Sequence, residues 1–111
     1  MILRLAVQKD GLTRAWLYQN GQSVFEYEGD NMAQVATELD KKLQGQWSKV
    51  GGIYVFLGPA GYSRLRATHA FSLGISLAQQ VPIAGYRKWN SRSSTTVPRR
   101  SRVVLKPVYP H

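Results

Sequence analysis

The sequence predicts an α/β fold built on one five-stranded mixed sheet, with elements in the order β-β-β-α-β-α-β and a basic C-terminal tail. Asn20-Gly21 lies between two short aromatic and β-branched runs, the strongest short-range signal for a hairpin. GIYVFL, residues 52–57, is continuously apolar and β-rich, the pattern of a strand covered on both faces. Two further segments have helical periodicity, and at 111 residues the chain is sized for one domain, which excludes a large two-domain enzyme.

Ile2 to Val7 alternates apolar and polar residues and ends where Lys9, Asp10 and Gly11 supply turn chemistry. TRAWLYQ and SVFEYEG then complete a three-stranded antiparallel meander over 2–7, 13–19 and 22–28. Asp30 is placed to cap a helix in which Met32, Val35, Ala36, Leu39 and Leu43 recur at three- and four-residue spacing, with Gly45 as its stop. A second helix is predicted from about Ser63 to Gln79, and VPIAGY gives a short final strand with Pro82 near its start. Two right-handed βα crossovers after the meander make the first, fourth and fifth strands parallel. That order is the ribonuclease H-like or actin-like half-domain, and a fold by itself decides no function.

Residues 1–86 carry eight Lys/Arg against six Asp/Glu, whereas residues 87–111 carry seven against none. The boundary is therefore expected at 86, with 87–102 as a Ser-, Thr- and Arg-rich linker and RVVLKPVYPH adding at most one short extended segment. Such a tail is either simply solvated or a contact for RNA or an acidic partner surface. Cysteine is absent, which removes disulfides, thiolate catalysis and Cys-based zinc sites and fits a reducing compartment. MILRLAVQKDG is too short in apolar pattern for a signal h-region or a spanning helix, so a cytoplasmic protein is expected.

GPAGYSRLR, residues 58–66, has the outline of a phosphate-cradling turn between strand and helix, yet lacks the Gly-Lys-Ser/Thr ending of a Walker A loop. A nucleotide-binding member of this fold class needs an acid at the end of its first strand, where this sequence reads Ala6-Val7-Gln8-Lys9. The six acids fall on the third strand, the first helix and turns, where they read as surface or cap residues that cannot be assembled into a cluster. His69 and His111 form no ligand pair, and Ser63 has no matched base. No cofactor, metal or catalytic residue is expected. In the second helix Ala70, Gly74 and Ala78 line a small-residue groove, with Phe71, Leu73, Ile75 and Leu77 as bulk on neighbouring faces. Either the first helix or the tail covers this surplus apolar surface, or another subunit packs there.

GIYVFLGPAGYSRLRATHAFSLGISLAQQVPIAGY resembles the strand-loop-helix-strand of the TsaB (YeaZ) family, whose usual loop is GPGSFTGLR. Gly58, Pro59, Leu65 and Arg66 match that loop in place, Tyr62 and Ser63 stand for its Phe and Thr, and Pro82, Ile83 and Gly85 match the final strand. Ala60 and Gly61 replace a Gly-Ser pair and Arg64 replaces a glycine; the Asp-Thr-Ser after the first strand and a His near the first helix have no counterpart. The resemblance covers about residues 1–86 and implies a reduced form without most of the second lobe. It implies a non-catalytic accessory protein that binds a TsaD-type subunit and works with TsaE in threonylcarbamoyladenosine modification of transfer RNA. The interface it implies comprises Met32, Val35, Leu39, Ala70, Phe71, Gly74 and Ala78, a face that also serves a homodimer when the protein is alone. Gly58, Pro59, Gly61, Tyr62, Arg64 and Arg66 form the loop at its polar end. Arg87, Lys88, Arg92, Arg99, Arg100 and Arg102 are the candidate transfer RNA contacts; the rival reading is a small RNA-binding module in which these residues grip phosphates and Trp89 and Tyr109 stack on bases.

Overall fold

The computed structural model describes residues 1–56, 62–90, 93 and 95–97, with backbone alone at 62–65. Strands β1 (Ile2–Val7), β2 (Thr13–Gln19), β3 (Gln22–Gly29), β4 (Gly52–Phe56) and β5 (Ile83–Tyr86) form one sheet in the spatial order β3-β2-β1-β4-β5. Helices α1 (Met32–Leu43) and α2 (Tyr62–Gln79) make the two crossovers, and a 3-10 turn at Trp47–Lys49, absent from the sequence reading, leads into β4. β1 pairs antiparallel with β2 and parallel with β4, and β4 pairs parallel with β5. The predicted fold class and strand directions are observed.

Local chemistry explains the joints. Asn20 and Gly21 both have positive φ, 52° and 80°, as a type I′ hairpin requires. α1 is capped by Asn31, not by Asp30. The Asn31 carboxamide oxygen accepts from the Gln34 N–H at 3.0 Å, and Gln34 Oε1 accepts from the Asp30 N–H at 2.9 Å. The register places Asn31 because its side chain reaches the third helical amide, which satisfies a donor that the helix leaves open. At the other end Gln44 already takes the left-handed conformation, φ 54°, one residue before the expected stop at Gly45.

Both helices cover one face of the sheet. Leu3, Leu5, Leu17, Ile53 and Val55 are fully buried there against Val35, Leu39 and Leu43 of α1, and Phe71, Leu73 and Ile75 of α2 pack on the same core. The opposite face carries Ile2, Ala6, Trp16, Tyr18, Tyr54 and Phe56. Their positions follow from the period of two along each strand.

Arg4, central on that second face, is enclosed by aromatic groups. Its Nε donates to the Tyr86 hydroxyl at 3.0 Å and its Nη1 to the Tyr18 hydroxyl at 3.1 Å. The guanidinium carbon lies 3.8 Å from the Trp16 ring centre and 4.4 Å from that of Trp89. Trp89 in turn stacks on Tyr18, with centroids 5.4 Å apart, and meets Tyr54 and Tyr86 edge-on. Further along, the Tyr54 hydroxyl donates to the Thr96 carbonyl at 2.8 Å, and Thr95 and Val97 line a shallow cavity with Met1, Ile2 and Gln19. The described residues 89 and 95–97 beyond β5 therefore lie back against the sheet.

Described residues just past the expected boundary at 86 thus lie against the sheet. Trp89 and residues 95–97, within the segment read as a linker, help cover a face that no helix reaches, because an apolar sheet face left open to water is unfavourable. This placement corrects the reading of Trp89 as a free stacking platform: its ring is committed to Tyr18 and Arg4. Trp89→Ala is expected to lower stability by about 2 to 3 kcal/mol, since both packing and cation–π contacts are lost. Chemical denaturation measures this, and wild-type stability in the variant would place Trp89 outside the fold.

Candidate functional site

α2 presents different chemistry to its two sides. Thr68, His69 and Ser72 are buried, and the Ser72 hydroxyl donates to the Thr68 carbonyl at 2.7 Å, the back-bond a helical serine makes when water is excluded. Near the C-terminus the Ser76 hydroxyl donates to the Val81 carbonyl at 2.6 Å, and Gln80 turns left-handed, φ 54°, to end the helix. Facing outward are Arg66, Ala67, Ala70, Gly74, Leu77 and Ala78, all exposed. Gly74 follows Ala70 by four residues, and Leu77 and Ala78 follow Gly74 by three and four, one continuous stripe along the helix.

The stripe is exposed and apolar. A Cβ built on Gly74 meets nothing within 4 Å, so the glycine does not serve the chain's own packing. Leu77 is 78% exposed, far above Val24 at 38% and Val97 at 52%. Four-residue spacing of small residues lets a second helix approach closely, and the leucine at its end offers an anchor for a pocket. Leu77 was readable only as bulk on a neighbouring face; its place at the seventh position after Ala70 is the signal that puts it on the stripe.

Of the expected interface residues, Ala70, Gly74 and Ala78 are brought together on this surface. Met32, Val35 and Leu39 are not. They are 6%, 0% and 0% exposed, inside the core between α1 and the sheet, and the outward face of α1 is the polar set Gln34, Thr37, Asp40 and Lys41. Periodicity reveals an apolar stripe without saying which neighbour it meets, and here the sheet takes it. Phe71 is half-buried, pinned edge-on against Trp47 at 5.7 Å, while the Trp47 indole N–H donates to Asp40 Oδ1 at 2.8 Å. Arg66 is exposed at the N-terminal end of the stripe. The loop residues Gly58, Pro59 and Gly61 and the side chains of Tyr62 and Arg64 lie outside the described residues, as do Arg92, Arg99, Arg100 and Arg102. Arg87 and Lys88 are exposed just past β5.

The carboxylates are dispersed. Asp10 accepts from the Leu12 N–H in its own turn, Glu26 and Glu28 face Arg14, Glu38 pairs with Lys41 and Asp40 holds Trp47. Among the described residues no three His, Asp or Glu side chains come together as a metal site, and no helix is long and apolar enough to cross a membrane.

No protein-family model matches the sequence, and no curated protein matches it. Solved structures do. YeaZ from Pseudomonas aeruginosa superposes with a TM-score of 0.63 at 16% identity over 77% of this chain and 43% of that one. An uncharacterized protein with similarity to peptidase YEAZ, also from Pseudomonas aeruginosa, superposes at 0.62 with 16% identity over 77% of this chain and 42% of that one. At this identity the likeness establishes the fold, and the resemblance read from the sequence is borne out at that level. The chain spans less than half the length of either structure.

Two measurements follow from the placements. Leu39→Ala is expected to cost about 2 to 5 kcal/mol of stability, the loss of a core residue; a change near zero would return Leu39 to the surface. Burial pushes the His69 imidazole below its ordinary value of 6.5, opposed in part by the Phe56 backbone. The unfolded chain then binds more protons, so stability is full above pH 6.5 and falls as pH drops toward the folded value. Denaturation at descending pH is expected to show this fall, and His69→Phe to flatten it; an unchanged slope in the variant would assign the titration elsewhere.

Proposed function

We propose that this chain is a non-catalytic accessory protein of the cytoplasm that docks through the outward stripe of α2 on a TsaD-type subunit, and with it and TsaE supports threonylcarbamoyladenosine modification of transfer RNA. The observation that carries the reading is the exposed apolar stripe Ala70-Gly74-Leu77-Ala78 on a half-domain whose fold is like that of YeaZ. A monomeric domain gains nothing from a leucine 78% exposed beside three residues too small to shield it. Arg66, exposed at one end of the stripe, gives the interface a cationic edge that fixes orientation. In the absence of the partner, the same stripe pairs two copies of the chain.

The non-catalytic reading rests on where the acids go. Each carboxylate named above faces a cation, an indole or its own turn, leaving none directed at a shared point where a metal or a water could be activated. Chemistry in the complex then belongs to the partner, and this chain supplies a rigid helix held on a sheet.

Gly74→Leu tests the interface without threatening the fold. The position is open to solvent, and replacing a mid-helix glycine by leucine raises helix propensity by roughly 0.5 to 1 kcal/mol. Co-purification with the TsaD-type subunit is expected to be lost while circular dichroism and thermal stability are kept. A complex retained by the folded variant would overturn the docking surface.

A further inference from the structure

β3 is the longest strand and stands at one end of the sheet, so its outer edge has no partner strand among the described residues. The pleat gives that edge two unlike sides. Glu26 and Glu28 face Arg14 on the second face, whereas Phe25 and Tyr27 lie on the helix face, half-buried and stacked with centroids 6.5 Å apart. β3 contains neither proline nor lysine, the usual guards of an exposed edge, and its bulge at Val24 lies before the run Phe25–Gly29. Such an edge is a template for another strand.

The chain's own continuation is delivered toward this edge. Beyond β5, Trp89 stacks on Tyr18 and the Thr96 carbonyl accepts from Tyr54, both on the second face. Val97 then lines a cavity with Met1, Ile2, Gln19 and Asn20, at the end of the sheet where β2 turns into β3. The five steps from Val97 to Arg102 reach roughly 16 to 18 Å when extended, against about 14 Å for the three strand spacings from β1 to a place outside β3. A chain entering at that end runs parallel to β3. Its hand also fits: a return over the opposite face in the opposite direction has the same hand as the crossovers made by α1 and α2, and parallel crossovers in one sheet nearly all share one hand.

The sequence at the right distance has the right pattern. In Arg102-Val103-Val104-Leu105-Lys106 the period of two sets Arg102 and Lys106 on one side of a strand and Val103 and Leu105 on the other, and Pro107, without an N–H, ends the pairing. We propose that residues 102–106, which lie outside the described residues, pair as a sixth strand on the outer edge of β3 in their own chain. Arg102 and Lys106 then share a face with Glu26 and Glu28, and Val103 and Leu105 share one with Phe25 and Tyr27. Opposite charges and apolar groups thus meet their complements across the strands. A second copy is the poorer occupant, because β3 against β3 gathers the Glu26 and Glu28 carboxylates of both chains on one face. The pairing takes Arg102 out of the candidate RNA contacts. It does not rest on the docking role of α2.

Residue-resolved amide hydrogen exchange on the full chain, at two protein concentrations, tests the pairing. The β3 amides that point away from β2 are expected to exchange about tenfold or more slowly than open amides, equally at both concentrations. Val104→Pro removes a donor from the middle of the segment and is expected to return these amides to open rates, while the amides between β1 and β2 stay protected. Arg102→Glu with Lys106→Glu is expected to reduce the protection, since like charges then share a face. The proposal is overturned by outward β3 amides that exchange freely in the full chain, by protection that survives Val104→Pro, or by protection that grows with concentration, the mark of a second copy at the edge. Gly74→Leu leaves β3 exchange unchanged, so this pairing and the docking of α2 fail separately.

Discussion

Arg4 is the residue on which the second face of the sheet depends. It sits on the central strand with no ion pair among the described residues, and its charge is held by two tyrosine hydroxyls and the faces of Trp16 and Trp89. A guanidinium is suited to this, being planar, weakly hydrated and able to donate in its plane while stacking above and below. A lysine would keep the charge and lose the geometry. The arrangement solves a problem set by the topology. Both crossover helices lie on one face, and the other must be covered by something other than a helix. Trp89 is that cover, and Arg4 fixes where it lands. Tyr86 shares the burden: burial raises its pKa, opposed by the Arg4 hydrogen bond, so the hydroxyl stays protonated and keeps its donor for the Leu5 carbonyl.

Much of the scaffold was legible because its signals are local. Asn20-Gly21 demands a type I′ turn whatever surrounds it, and the spacing of Met32, Val35, Leu39 and Leu43 demands an amphipathic helix. What failed was the assignment of partners to faces. The stripe on α1 was assigned outward, although a helix returning to a sheet turns its widest apolar face inward. GIYVFL held the missed clue. A strand apolar on both sides needs cover on both, and two helices on one side leave Tyr54 and Phe56 exposed unless the Ser- and Arg-rich continuation returns. Composition assigned Trp89 to a linker; its company on the even-numbered positions of β1, β2 and β4 assigns it to a core.

α2 shows the reverse case. Its inner side contains Thr68, His69 and Ser72, while its outer side is alanine, glycine and leucine. Ser72 is tolerable inside because it returns its hydroxyl to the helix's own Thr68 carbonyl, at a modest cost in helix strength. A helix with apolar character on both sides is one that lies between two layers, and the sheet provides only one of them. The sheet thus separates two surfaces of different kinds: an apolar helix stripe on one side and rings gathered around Arg4 on the other.

The Arg4 contact also sets an order of events during folding. Its hydrogen bond to Tyr86 spans 82 residues, whereas the β1–β2–β3 meander closes through turns of a few residues. Short loops close early and long ones late, because each must overcome the entropy of bringing its ends together. On a ribosome the meander and α1 emerge long before Trp89 does. Until that residue arrives, Trp16, Tyr18 and Arg4 face solvent as an open aromatic sheet, the condition in which a nascent chain is most prone to wrong association.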